Sequence, residues 1–345
     1  MNPIINFILI LSMMAGTTLT MMSHHWVSAW LGLELNTLAI IPIISKTHHP
    51  RATEASTKYF LIQAGSSALI LFSGIINAYL HGTWDISYLS SSPSKIMFTA
   101  ALATKLGLAP IHFWLPEVLQ GVPLLTALII TTWQKMAPMA LLIMTWNLIP
   151  TQITLTLGLL STIIGGLGGL NQTQLRKMMA YSSIAHLGWM ISIITIAPNL
   201  TLFNLALYVT LTSSAMLIMH LTMSKTLQNT SLISSHSSII TGLFSLSLLS
   251  LGGLPPLSGF SPKWLILQEL TLHHLTPLAS MMAISTLLSL MFYIRVTYIS
   301  MMTLPPSTTP LKNMWRLKTK PNTLVLSVLA PASILLLPIT PLMIQ

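Results

Sequence analysis

The sequence predicts an all-α, polytopic membrane protein, and three observations carry that reading. Hydrophobic residues make up 53% of the 345 and charged residues only 6%. Mean hydropathy is +0.77. The apolar residues gather in runs of about 20, the length that carries a helix across a hydrocarbon core. A soluble domain carries about 25% charged residues. A chain with 6% cannot cover itself with a solvated surface, so lipid is part of its solvent.

Between polar or Pro/Gly punctuation, eleven runs qualify: approximately 3–22, 25–44, 55–80, 95–120, 124–145, 151–170, 175–196, 200–222, 238–270, 277–300 and 323–343. The fourth and ninth are interrupted. The first has no Lys or Arg ahead of it and no cleavage site, so it reads as a retained helix and not as a signal peptide. The whole chain, 1–345, is expected to be a single membrane domain.

The positive-inside rule tests this count. Eleven crossings put the N-terminus on one side together with Lys46, Arg51, Lys58, Arg176, Lys177, Lys225, Lys312, Arg316, Lys318 and Lys320. The opposite loops hold essentially only Lys95, and the C-terminus falls with them. Topology thus accounts for the net charge of +10. No basic patch interleaves with stacking aromatics, which sets nucleic acid aside as a partner.

Two runs break alike. Leu106-Gly-Leu-Ala-Pro110 is followed by a second proline at Pro116, and Leu251-Gly-Gly-Leu-Pro255 by one at Pro262. Proline removes a donor and blocks helical geometry. In lipid such a break survives only where protein or water covers the freed carbonyls. The breaks lie five crossings apart, and an odd separation reverses direction. Matched discontinuous helices in inverted halves mark a transporter core. Two inverted five-helix repeats are therefore expected, at about 1–145 and 150–300, with a C-terminal helix at about 323–343.

Four ionisable residues fall inside expected helices: Glu34, Lys105 at the edge of the first break, Lys135, and Lys263 after the second. Insertion scales put the cost of one such charge at about 2.5–3.5 kcal/mol, so four cost on the order of 10 kcal/mol. They must pair, hydrate or shed charge, and the desolvation that drives the last brings each group toward the range where it exchanges protons. A static Glu34–lysine pair explains at most two of the four. His112 and His186 are either further relay groups or hydrogen-bonded packing residues. His24, His25, His48, His49, His273 and His274 lie near loops, with no role expected beyond solvation. Glu117, Glu269 and Arg295 read as interfacial anchors or rim partners for a lysine.

The chain has no cysteine, which removes disulfides and the usual iron–sulfur ligands. No histidines pair as haem ligands. Gly165-Gly-Leu-Gly-Gly169 lies in an apolar run with no strand before it, so it reads as a close-packing helix face and not as a nucleotide loop. No metal or cofactor is expected on this chain.

Three stretches carry a family resemblance: Asn171-Gln-Thr-Gln-Leu-Arg-Lys-Met-Met-Ala-Tyr-Ser-Ser-Ile-Ala-His186-Leu-Gly, Lys105-Leu-Gly-Leu-Ala-Pro-Ile-His-Phe-Trp-Leu-Pro-Glu117, and Gly252-Gly-Leu-Pro-Pro-Leu-Ser-Gly-Phe-Ser-Pro-Lys263. With Trp30-Leu-Gly-Leu-Glu-Leu, they resemble the antiporter-like, proton-translocating membrane-arm subunits of respiratory complex I. The resemblance implies an ion pair of Glu34 with Lys105, Lys135 as the connecting lysine and Lys263 as the terminal group. It implies proton translocation coupled to NADH oxidation and ubiquinone reduction on other subunits, where NADH, FMN, iron–sulfur clusters and ubiquinone are held. Neighbouring antiporter-like subunits, membrane phospholipids, protons and internal water are the partners it implies. The location would be the mitochondrial inner membrane, with the N-terminus in the matrix and the C-terminus in the intermembrane space. A stand-alone cation/proton antiporter and a non-conducting scaffold of the same complex stay open as alternatives.

Overall fold

The computed structural model describes residues 3–233, 238–303 and 324–341. Lys312, Arg316, Lys318 and Lys320, and the ends of the expected helix at 323–343, lie outside the described residues. In chain order the helices are α1 (Pro3–Met21), α2 (Trp26–Ser45), α3 (Pro50–His81), α4 (Ser92–Leu106), α5 (Trp114–Gly121), α6 (Leu124–Thr131), α7 (Trp133–Met144) and α8 (Thr151–Leu170). There follow α9 (Leu175–Ile193), α10 (Pro198–Leu221), α11 (Leu227–Ser231), α12 (Ser238–Gly252), α13 (Phe260–Leu272), α14 (Thr276–Met302) and α15 (Leu324–Leu335). Among the described residues there is no β-strand, only isolated pairings of His25 with Asp85 and Gln174 with Thr226. Counting α6 and α7 as one span, seven helices among the described residues are long and apolar enough to cross a membrane.

Buried faces mix apolar and polar residues, and α3 carries the polar side chains inward. In α3 the buried stripe is Ser56, Tyr59, Gln63, Ser66, Ser73 and Asn77, while Leu61 and Tyr79 are 69% and 89% exposed. Spacing of three and four residues places that stripe on one side of the helix. Its hydroxyls donate to carbonyls one turn back, as Ser73 does to Ile70 at 2.7 Å. Backbone acceptors thus satisfy the buried hydroxyls, and the apolar side chains are left for lipid.

The chain forms two compact units, Met1–Ser161 with Leu187–Pro198, and Thr162–His186 with Asn199–Gln345. In the first, glycines let α1 and α2 touch: a Cβ on Gly32 would stand 2.8 Å from the Gly16 carbonyl oxygen. In the second, the Gly165–Gly169 run is helical and packs closely. A Cβ on Gly165 would meet the Ala185 nitrogen at 2.7 Å, and one on Gly169 the Phe292 ring at 2.7 Å. Small residues at such crossings allow backbones to approach, and the glycine run serves that purpose.

Two sequence expectations need correction. The fifth expected crossing, 124–145, is interrupted at Thr132, where α6 ends and α7 begins. The Thr132 hydroxyl donates to the Leu128 carbonyl at 2.7 Å, a back-bond that bends helices. Pro138, four residues beyond Gln134, cannot donate to that residue's carbonyl. His25 and His49 also have a structural role. Each sits just before a helix, and its Nδ1 accepts from the backbone two residues on, from Val27 at 3.3 Å and Arg51 at 3.1 Å. Both are N-caps of the kind Asn and Asp usually supply.

Candidate functional site

The first break runs from Gly107 to Phe113, between α4 and α5. Gly107, at φ 77°, ends α4 in the left-handed region, where a side chain is disfavoured. Its amide donates to the Ala103 carbonyl at 3.0 Å and to the Thr104 carbonyl at 3.2 Å. The next two carbonyls have side-chain donors. The Trp114 indole N–H reaches Thr104 O at 3.1 Å, and the Gln63 amide reaches Lys105 O at 3.2 Å. Lys105 itself is 5% exposed, and its ammonium has no hydrogen-bond partner among the described residues.

Lys105 and Lys135 line one cavity in the first unit, together with Asn36, Tyr59, Gln63 and Gln134. It leaves about 10 Å³ for the centre of a water molecule, room for about one water. Gln134 spans the wall: its amide donates to the Asn36 carbonyl at 3.4 Å and accepts from the Tyr59 hydroxyl at 3.4 Å. The Asn36 side-chain amide is buried without a protein partner, as is Glu34 Oε2. Glu34 lies within electrostatic reach of both Lys105 and Tyr59. No direct ion pair joins Glu34 to Lys105 in this structure; the carboxylate is in the neighbourhood but not in contact. The first unit therefore places two of the four expected charges, Lys105 and Lys135, on one polar space, with Glu34 outside its lining.

The second break, in the second unit, is built differently. Here α12 ends at Gly252, and Gly253 takes the left-handed conformation at φ 81°. The match to the first break is therefore Gly107 with Gly253, one residue later than the shared Leu-Gly-x-x-Pro spelling suggests. Lys263, buried on α13, reaches back to the end of α12. Its ammonium donates to the Gly252 carbonyl at 2.7 Å and to Leu251 O at 3.4 Å. A cation at a helix C-terminus meets both free carbonyls and the negative end of the dipole.

The other candidates are placed as follows. His112 is buried beside the first break, its Nδ1–H donating to the Pro110 carbonyl at 3.1 Å. His186 is buried in the second unit with its ring 5.6 Å from that of Tyr208. Glu117 is a rim partner: it pairs with Lys58 at 2.8 Å, and Lys58 also pairs with Glu54. Arg295 donates to the Leu170 carbonyl at 2.9 Å, anchoring α14 to the end of α8. Among the described residues no group of His, Asp and Glu has the geometry to hold a metal ion. Sequence reasoning passed over Tyr59, Gln63, Trp114 and Gln134. The signal was present in the two glutamines, amides within apolar helices that must find partners in lipid.

Discontinuous helices that end in left-handed glycines, with buried lysines beside them, belong to a multi-pass membrane bundle. The chain belongs to the NADH:quinone oxidoreductase/Mrp antiporter transmembrane family, whose model matches residues 23–289, and the model of the NADH dehydrogenase subunit 2 C-terminus matches residues 290–344. Relatives named NADH-ubiquinone oxidoreductase chain 2 include that of Varanus baritji, 80% identical over 100% of both chains. That of Carassius auratus is 52% identical over 99% of this chain and 98% of its own. Among solved structures, a chain of respiratory complex I from Thermus thermophilus matches 98% of this chain and 80% of its own with TM-score 0.82 at 24% identity. A chain of an archaeal membrane-bound sulfane sulfur reductase matches 97% and 73% with TM-score 0.84 at 15% identity. At those identities the two structures speak to the fold.

Proposed function

We propose that this chain carries protons within the membrane arm of an NADH:ubiquinone oxidoreductase, using Glu34, Lys105, Lys135 and Lys263 as the relay. The observation that supports it most is the single cavity lined by both Lys105 and Lys135, with Glu34 in electrostatic reach. Charge in a membrane interior is a functional site by default, because it is costly to keep without a use. A water in that cavity would join the two ammonium groups, and Lys263 would be the terminal group. His112 and His186 stand as further relay candidates.

In this reading NADH oxidation and quinone reduction take place on other chains, which hold the redox groups. The chain works in the mitochondrial inner membrane beside other membrane-arm subunits and phospholipid. It crosses eleven times as two inverted five-helix repeats and a final helix, with its N-terminus in the matrix and its C-terminus in the intermembrane space. The supports are the family, the matched breaks and the bias of basic residues among loops.

The test is proton pumping per electron pair in assembled enzyme. Glu34→Gln and Lys105→Met should each leave the complex assembled and lower pumping. Their double variant should fall well short of additive, as coupled residues do. Wild-type pumping in both single variants would end the relay reading.

A further inference from the structure

The two breaks present the same problem and solve it with opposite chemistry. Each leaves carbonyls at a helix end that lipid cannot satisfy. In the second break the donor is the charged group itself, Lys263, fixed on Gly252 O and Leu251 O. In the first break neutral donors do this work, Trp114 on Thr104 O and Gln63 on Lys105 O. Seven residues beyond each left-handed glycine stand Trp114 and Phe260, so the second break lacks an indole where the first has one. Lys105, adjacent to both satisfied carbonyls, is left with an ammonium that none of the described residues hydrogen-bonds.

We infer that Gln63 and Trp114 are positioning residues for Lys105: by occupying the carbonyls of residues 104 and 105, they keep its ammonium free to serve the cavity. The inference rests on the proposed relay and names what frees its first lysine. A buried carbonyl without a donor is costly, and an unpartnered ammonium on the same turn is the strongest donor available to it. Removing the Gln63 amide leaves Lys105 O without a donor and sets it in competition with the cavity for Lys105. Thr104 O also accepts from the Gly107 amide at 3.2 Å, so loss of the Trp114 indole removes one of its two donors and makes the same competition weaker there. Trp114 is held for this task from outside as well. Its ring meets that of Tyr59 edge-on at 5.9 Å, and Glu117, three residues on, is paired with Lys58. Helix α3 thus carries both Gln63 and the two residues that fix α5.

The test uses Gln63→Leu and Trp114→Phe in the assembled complex; the first keeps bulk and removes the side-chain amide, the second keeps an aromatic ring and removes the indole N–H. Pumping per electron pair should drop about fivefold, the equilibrium weight of one hydrogen bond. The pH profile of coupled turnover should shift as well, which loss of packing alone would not cause. In a Lys105→Met background neither substitution should lower pumping further. If one variant fails to assemble, the other decides, since each removes a donor from a different carbonyl. Wild-type pumping and pH profile in the assembled variant would overturn the inference, as would a loss that adds to that of Lys105→Met. If Lys105→Met itself pumps normally, the relay reading fails first; if it is defective while Gln63→Leu and Trp114→Phe are normal, only the positioning role fails.

Discussion

The ammonium of Lys263 donates to the carbonyl of Gly252 at 2.7 Å, tying the start of α13 to the end of α12 across the chain's second break. The contact needs the residue between them to be bare. A Cβ on Gly253 would stand 2.9 Å from both Cδ and Nζ of Lys263. This arrangement makes the lysine the cap of a helix as well as a candidate proton carrier.

Gly253→Ala should therefore be damaging. It introduces a side chain at φ 81°, where an L-residue costs about 1–2 kcal/mol, and it pushes the lysine off its carbonyls. Gly252→Ala should be nearly silent, because its added methyl meets nothing nearer than 3.6 Å. Abundance and thermal inactivation of the assembled complex would measure both. Equal tolerance at the two glycines would refute the register assigned to this break.

The crossing of α1 and α2 gives a second contrast. Gly32→Val would drive carbon into the Gly16 carbonyl and the Thr20 side chain, an overpacking that typically costs about 1–3 kcal/mol. Gly65 on α3 has open space where its Cβ would be. Gly65→Ala should be neutral, or stabilising by up to about 1 kcal/mol through helix propensity. Thermal midpoints of the purified complex in which the Gly32 variant equals the wild type would contradict the close crossing.

Topology is testable because the chain has no native cysteine. Cysteines at Thr173 and Ser92, both exposed in this structure, should react with a membrane-impermeant thiol reagent from opposite faces of sealed vesicles. The Thr173 probe belongs on the basic side. Labelling of both from one face would overturn the eleven-crossing arrangement.

Much of the site was legible before any coordinates. Proline and glycine marked both breaks, because each alters backbone geometry locally. Glu34, Lys105, Lys135 and Lys263 stood out because charge in an apolar run needs a reason. The family motifs pointed to a proton-handling subunit, and the family is the one the chain belongs to. The interruption at Thr132 was less legible, since its cause is a hydroxyl choosing a carbonyl one turn back, a choice the side chain does not announce.

The sequence by itself determined where two of the helices break and which charges lie inside them. These are properties of single residues and of spacing along one helix. Tertiary structure decided which carbonyl each donor meets: Gln63 reaches a residue 42 positions away, and Trp114 reaches back ten across the break. It also decided that Lys105 and Lys135 share a cavity, that Lys58 pairs with Glu117, and that Gly253 and not Gly252 is the left-handed residue. The reason is physical: a buried polar group must find a partner somewhere. Composition says that such a partner exists, and only the packing of separate helices says which one it is.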